Sequence, residues 1–110
     1  MSDRPVSFLL EDLLDAIQRI QRYTDGQSLE TFRENQMLQD AVIRNISVIG
    51  EVVARIPDSF INQHSGIPWH RMRGMRNRLV HDYLGIDLDL VWTVVRNDLP
   101  RLKSQVEALL

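Results

Sequence analysis

Residues 35–56 read NQMLQDAVIRNISVIGEVVARI, and their apolar side chains recur every three or four positions. This spacing places one apolar stripe along a single face of an α-helix. The stripe consists of Leu38, Val42, Ile46, Ile49, Val53 and Ile56. Pro57 cannot continue the helix, so the stretch predicts a long amphipathic helix whose apolar face other helices must cover.

The N-terminal part of the chain has the same helical period. Residues 7–23 predict a first helix, capped by Asp3 or Ser7 and ended by the turn-forming residues 24–26. A short helix is expected over residues 28–33, because the hydroxyl of its first residue, a serine, can accept a hydrogen bond from a free amide of the first turn.

The C-terminal half also predicts helices. Residues 57–68 are the least patterned stretch and are interpreted as a loop in which Phe60 and Ile61 allow a helical turn. A fourth helix is expected over 68–84, ended by Gly85. The final helical pattern crosses Pro100, so it predicts either one kinked helix or two nearly coaxial helices with Asp98 capping the second. The predicted fold class is all-α, an up-and-down bundle of four to five helices.

Composition limits what the chain can be. Its 110 residues, 44% of them hydrophobic, predict a single domain over 1–110. The absence of cysteine excludes a disulfide scaffold, a cysteine zinc site and a thiol nucleophile. No apolar run approaches the ~18 residues of a membrane span, so a cytoplasmic location without a membrane partner is expected.

Positive charge concentrates in residues 69–82, although the net charge of the chain is −2. This segment holds four of the thirteen basic residues and one acid, so it carries +3 and the remaining residues carry −5. A local basic strip suits phosphate recognition, because the field depends on the patch rather than on the total charge. A solvated helix face is the alternative interpretation.

Projection of this segment at about 100° per residue separates two faces. The core face carries Met72, Met75, Leu79 and Tyr83. The second face carries His70, Arg73, Asn77 and His81, with Gly74 at its edge. A glycine inside a helix costs roughly 0.5 to 1 kcal/mol relative to alanine, which suggests either that a backbone or ligand approaches closely or that the glycine is merely tolerated.

Arginine, histidine and a polar amide form a minimal set for RNA cleavage without a metal ion. On one helix, however, Arg76 and His81 would point about 140° apart. Either the long arginine side chain reaches around the helix, or the same helix of a second subunit completes the site across a two-fold axis. The spacing of His64, His70 and His81 matches no metal-binding pattern, and no metal or cofactor is expected.

The octapeptide Arg76–Tyr83, RNRLVHDY, resembles the R-x4-H-x-Y signature of the HepT-like branch of the HEPN superfamily, which are small helical toxins. The similarity extends to further short segments on both sides of the octapeptide. These are Ile67-Pro68-Trp69, Gly74-Met75, residues 85–92, Asp98-Leu99-Pro100, Arg44-Asn45 and Ile49-Gly50-Glu51. Glu51 is interpreted as a solvated or helix-pairing residue outside the site.

This resemblance implies a homodimer with facing motif helices and a metal-independent endoribonuclease. Arg76 and His81 would then be catalytic, and Asn77 would orient groups or contact the RNA substrate. Arg73 and Arg78 are expected to contact the RNA as supporting residues.

The resemblance also implies a partner, a nucleotidyltransferase antitoxin of the minimal (MNT) type, as in type VII toxin–antitoxin systems. This antitoxin would silence the toxin by adding AMP to Tyr83, where a bulky anion next to His81 would block a phosphate site. Tyr83 also falls on the core face, and packing of its ring there is compatible with a hydroxyl that reaches solvent.

Two other functions remain open at this point. The chain could be a non-catalytic dimer module that binds a nucleotide or RNA and docks a nucleotidyltransferase. It could also be a plain helical dimerisation domain, in which case neutralising the charges of residues 69–82 would change nothing.

Overall fold

The computed structural model describes residues 4–81 and 85–110. Helices dominate these residues, which confirms the predicted all-α class. The elements are α1 (Val6–Thr24), α2 (Leu29–Arg33), α3 (Gln36–Val53), α4 (Asp58–Gln63), α5 (Trp69–Leu79), β1 (Val80–His81), β2 (Gly85–Ile86), α6 (Leu88–Thr93), a π-helical turn (Val94–Asp98) and α7 (Leu99–Glu107). None of the described helices is long and apolar enough to cross a membrane.

Helix α3 lies at the centre of the bundle, between α1 on one side and α5 on the other. Its predicted apolar stripe is buried in full, including Ile56 in the turn that follows the helix. The helix itself ends at Val53, three residues before the predicted end. Burial of each large aliphatic side chain contributes about 1.5 to 3 kcal/mol, so this stripe is a main source of stability.

The two N-terminal helices differ in how they begin. Helix α1 follows Pro5 without a side-chain cap, so the prediction of Ser7 as a cap is wrong, and Asp3 lies outside the described residues. Ser28 caps α2 as predicted: its hydroxyl accepts the backbone N–H of Thr31 at 3.2 Å, and its own N–H donates to the Thr31 hydroxyl at 2.8 Å. This reciprocal pair is a capping box, which fixes the start of a very short helix.

Helices α3 and α5 come into close backbone contact at Gly50. A Cβ atom at this position would lie 3.0 Å from the backbone oxygen of Arg73. The sequence instead suggested Gly74 as a point of close approach, but a Cβ there would meet no described atom within 4 Å. The glycine that lets the two helices pack is therefore on α3.

A six-residue helix, α4, occupies part of the predicted loop 57–68, so the loop prediction is wrong for Asp58–Gln63. The ring of Phe60 packs on His64 at 4.4 Å between centroids and meets Trp69 edge-on at 6.3 Å. The indole N–H of Trp69 donates to the His64 carbonyl at 2.9 Å. These contacts attach α4 to the start of α5.

Helix α5 ends at Leu79, five residues before the predicted end at Leu84. Val80 adopts an extended conformation, with φ −117° and ψ 122°, and begins a short antiparallel strand pair. In this pair Val80 lies opposite Ile86, and both side chains pack half-buried against the core. Pairing of these two β-branched residues replaces the last helical turn.

Gly85 has a left-handed conformation, with φ +81°, but it belongs to β2 rather than to the end of a helix. The backbone N–H of Asp87 donates to the Leu79 carbonyl at 2.8 Å, and the Asp87 carboxylate accepts the N–H of Leu90 at 3.1 Å. The chain therefore leaves α5 along β1, which pairs with β2, and enters α6 at an aspartate cap.

The last helical segment is continuous from α6 through the π-helical turn to α7, so the kinked single helix is the correct alternative. The N–H of Leu99 reaches back five residues to the Val94 carbonyl, and Pro100 lacks an N–H of its own. Asp98 is helical and makes no side-chain cap, so its predicted capping role is wrong. The wider π turn accommodates the proline without breaking the helix.

Candidate functional site

The four arginines of α5 lie on two flanks of the helix. Arg73 and Arg76, the α3 flank, line a shallow groove against α3. The opposite wall of this groove is formed by Ser47, Gly50, Glu51 and Ala54. Arg71 and Arg78 line a second depression against α7, on the other side of the helix. Residues seven apart on a helix point in nearly the same direction, so their spacing alone places Arg71 and Arg78 on the same side of α5.

All four arginines are exposed. Among the residues that the structure describes, none of them lies within 4 Å of a carboxylate oxygen. The ion pairs formed in that part of the chain are Arg4–Asp12, Arg19–Asp15 and Arg33–Asp89. The positive charge of α5 therefore remains available to an external anion.

The α3 flank uses few of its hydrogen-bond donors. One guanidinium nitrogen of Arg76 donates to the Asn77 side-chain oxygen at 3.4 Å. One guanidinium nitrogen of Arg73 donates to the Ala54 carbonyl, also at 3.4 Å. Each guanidinium carries five N–H donors in a fork that fits phosphate oxygens, so these long contacts leave most donors free among the described residues.

Arg73 connects the α3 groove to a cleft of about 290 Å³ beside α4. Asp58 and Asn62 of α4 face His70 and Arg73 of α5 across this cleft. Sequence reasoning missed the two α4 residues, because a helix of six residues is too short to show a period. Glu51 was visible beside Gly50 but was placed outside the site, whereas it lines the same groove as Arg73 and Arg76.

His81 lies on β1, two residues after the end of α5, and its side chain is exposed. The predicted helical face that joined His81 to Asn77 is therefore wrong, because the helix ends at Leu79. For the same reason the 140° separation from Arg76, which lies in the last turn of α5, does not apply. No hydrogen bond to the imidazole occurs within residues 4–81 and 85–110.

Tyr83, the expected modification site, lies outside the described residues. The predicted packing of its ring against the core therefore stays a prediction. Within the described ranges, no three histidine, aspartate or glutamate side chains come close enough to hold a metal ion.

The arrangement can bind a phosphate and move a proton. Exposed guanidinium groups stabilise negative charge on phosphoryl oxygens, and an imidazole can accept and donate a proton. Both kinds of group lie at or just after the C-terminal end of α5. These properties fit chemistry on a phosphodiester.

Comparison with known proteins gives consistent matches along the chain. The family model described as "Ribonuclease HepT-like" matches residues 13–109. A protein of Thermococcus cleftensis, "Probable ribonuclease HepT", is 40% identical over 100 residues, which cover 91% of each chain. A "Putative RNase" of Methanocaldococcus jannaschii is 37% identical over 107 residues, which cover 97% of this chain and 98% of that protein.

The same module occurs in a larger protein. A "Gamma-glutamylcyclotransferase and putative RNase" of Methanocaldococcus jannaschii is 38% identical over 103 residues, and this chain spans 46% of its length. No solved structure matches the chain.

Proposed function

We propose that this chain, which belongs to the HepT-like ribonuclease family, is a metal-independent endoribonuclease and the toxin of a prokaryotic type VII toxin–antitoxin system. One observation carries the proposal: Arg76 and Arg73 are exposed without a carboxylate partner among the described residues, and the exposed His81 follows on the strand directly after the same helix. A phosphate-binding pair beside a proton-transfer group is what cleavage of RNA requires.

Cleavage would proceed through the 2′-hydroxyl of the RNA. His81 takes the 2′-hydroxyl proton, the 2′-oxygen attacks phosphorus, and the bond from phosphorus to the 5′-oxygen breaks. The imidazolium returns its proton to that 5′-oxygen, leaving a 2′,3′-cyclic phosphate and a 5′-hydroxyl. Arg76 stabilises the negative charge that develops on the phosphoryl oxygens. Positioned acid–base catalysis of this kind contributes about 10²- to 10⁴-fold to the rate.

The other predicted residues would hold the RNA. Arg73 shares the groove of Arg76 and offers a second guanidinium to the phosphate backbone. Asn77 accepts a hydrogen bond from Arg76 and keeps its amide N–H groups available to the substrate. Arg78 lies on the opposite flank and would contact a different part of the RNA.

The active form would be a homodimer in which two α5 helices face each other. Two observations support this arrangement. Gly74 lies between the flanks of α5, where a Cβ would meet no described atom, so a second copy has room to approach. Arg76 and His81 belong to different elements and share no hydrogen bond among the described residues. The site would then combine Arg76 of one protomer with His81 of its partner across the two-fold axis.

An antitoxin of the minimal nucleotidyltransferase type would control the toxin. The Tyr83 hydroxyl would attack the α-phosphorus of ATP, forming a tyrosyl–AMP phosphodiester and releasing pyrophosphate. The added group carries negative charge two residues from His81. It would block RNA both by its bulk and by repelling phosphate.

The direct test is cleavage of a single-stranded RNA by purified protein, with identification of the new ends. His81→Ala and Arg76→Ala should each lower the rate at least about 100-fold while the far-ultraviolet circular dichroism stays unchanged. His70→Ala is the matched control, since it removes an exposed histidine of α5 and should keep most of the activity. Cleavage by His81→Ala at the wild-type rate would refute the assignment.

The control by AMP is tested by intact mass. Protein produced together with its nucleotidyltransferase should gain AMP on Tyr83 and lose cleavage, and Tyr83→Phe should keep cleavage and gain no mass. If neither preparation cleaves RNA but both bind it, the non-catalytic binding module becomes the better description.

A further inference from the structure

The α7 flank of α5 faces a depression that the proposed reaction does not use. Three arginines surround it: Arg71 and Arg78 from α5, and Arg101 from α7. Its floor and rim are completed by Pro68, Met72, Met75, Asp98 and Leu102. The site therefore combines an apolar floor with a ring of guanidinium groups.

The charge of this depression is incompletely balanced. Asp98 is its one acidic lining residue among three arginines. In the described part of the chain, neither Asp98 nor any other carboxylate comes within 4 Å of these guanidinium groups. Three exposed cations on adjoining helices repel one another, and an anion placed between them would relieve the repulsion.

The size of the depression indicates how an anion would bind. It encloses about 50 Å³, far less than the roughly 300 to 1,000 Å³ of pockets that hold small molecules. A free nucleotide would not fit inside. A polymer can instead remain outside the depression while its phosphates contact the exposed arginines at the rim.

The π-helical turn sets which residues of α7 face this depression. The extra residue of such a turn rotates the following helix by about 100° relative to the preceding one. Arg101 lies three residues after the turn and lines the depression together with Asp98, the last residue of the turn. Turns of this kind occur frequently at functional sites.

We propose that the α7 flank is a second RNA subsite, which holds backbone phosphates of nucleotides away from the cleavage point. This inference deepens the proposed function and rests on RNA being the substrate. The two flanks lie on opposite sides of one helix, and a helix with its side chains is about 10 to 12 Å across. Arg76 and Arg78 both lie in the last turn of α5, so a strand several nucleotides long can reach both flanks around the end of the helix, away from Gly74. This gives Arg78 a role apart from Arg73 and Arg76.

The test is binding of a fluorescein-labelled 20-nucleotide single-stranded RNA, measured by anisotropy in full-length protein. His81→Ala serves as the parent, so that the RNA stays intact. Adding Arg71→Gln and Arg101→Gln should weaken binding about tenfold at low salt. The slope of log K against log salt should fall by about 1.4, since each phosphate contact to a single strand contributes about 0.7.

A matched control removes the same charge elsewhere. Arg22→Gln with Arg44→Gln neutralises two exposed arginines of α1 and α3 and should leave the slope within about 0.3 of the parent. Equal slopes for the two double variants would overturn the subsite, because a diffuse charge effect would then explain the loss. Retained RNA binding with loss of nucleotidyltransferase binding would also overturn it and assign the flank to a protein partner.

The outcomes separate this inference from the proposed function. If wild-type protein never cleaves RNA but the Arg71/Arg101 variant still loses affinity and slope, the subsite is supported and the ribonuclease proposal fails. If wild-type protein cleaves RNA and the double variant binds like its parent, the ribonuclease proposal is supported and the subsite fails.

Discussion

The two flanks of α5 belong to the same helix and carry the same residue type, but their surroundings differ. On the α3 flank, Arg73 and Arg76 line a groove against α3, and their helix ends two residues before His81. On the α7 flank, Arg71 and Arg78 face an apolar floor and a third arginine. The first setting suits a reacting phosphate and the second a passive contact with a chain of phosphates. Removing one arginine should therefore lower the cleavage rate on the α3 flank and weaken RNA binding on the α7 flank.

The largest expected effect concerns whether the α3 flank is completed by a second subunit. Arg76→Ala and His81→Ala chains should each be inactive alone. When they are unfolded and refolded together in equal amounts, half of the dimers are mixed and each holds one intact site, so about a quarter of wild-type cleavage should return. No recovery above either parent would place each site within one chain.

The next prediction concerns the packing of α5 against α3, which is specific to the α3 flank. Gly50→Ala would press a Cβ onto the Arg73 carbonyl, which belongs to helix backbone and cannot move easily. We expect a loss of about 1 to 3 kcal/mol in the free energy of unfolding, measured by urea titration. Gly66→Ala is the control, because a Cβ there meets no described atom within 4 Å. Equal midpoints for both variants would contradict the tight contact between α3 and α5.

A third effect concerns the strand that carries His81. Gly85→Ala should cost about 1 to 2 kcal/mol, because Gly85 has φ +81°. It should also lower RNA cleavage, since Gly85 pairs directly with His81. Gly26→Ala, at φ +72° in the turn after α1, should cost a similar amount and leave cleavage intact. Equal cleavage by the two variants would show that pairing of β2 with β1 does not position His81.

The smallest effect is at Gly74, between the two flanks. If α5 faces solvent at Gly74, the Gly74→Ala change should stabilise the folded monomer by about 0.5 to 1 kcal/mol. Alanine has the higher helix propensity, and no described atom would lie within 4 Å of its Cβ. If a second copy packs at Gly74, as proposed, the same change should raise the dimer dissociation constant measured by sedimentation. A more stable protein with an unchanged dimer would argue against facing α5 helices.

The sequence predicted the framework of the bundle, because the stripe of α3 and the apolar positions of α1 follow a clear helical period and are buried. Ser28 was found for a local reason, since its capping box involves only Thr31. The end of α5 was missed because pairing of Val80 with Ile86 is a contact between segments that propensity does not show. Helix α4 was predicted only as a helical turn at Phe60 and Ile61, because its full extent depends on contacts of Phe60 with His64 and Trp69.

The candidate site was predicted by residue type better than by geometry. Arg73, Arg76 and Asn77 lie on exposed parts of α5, as the helical projection requires. The projection failed for His81, which follows the helix rather than continuing it. Arg78 was expected only as a supporting contact to the RNA, and it lies with Arg71 on the α7 flank.

The most direct test of the account compares Arg76→Ala with Arg71→Ala in single-turnover cleavage of one RNA over a range of protein concentrations. We expect Arg76→Ala to lower the rate at saturation at least about 100-fold. Arg71→Ala should act mainly on the protein concentration needed for half-saturation, which should rise several-fold. Equal losses at saturation in the two variants would contradict the division between a catalytic flank and a binding flank.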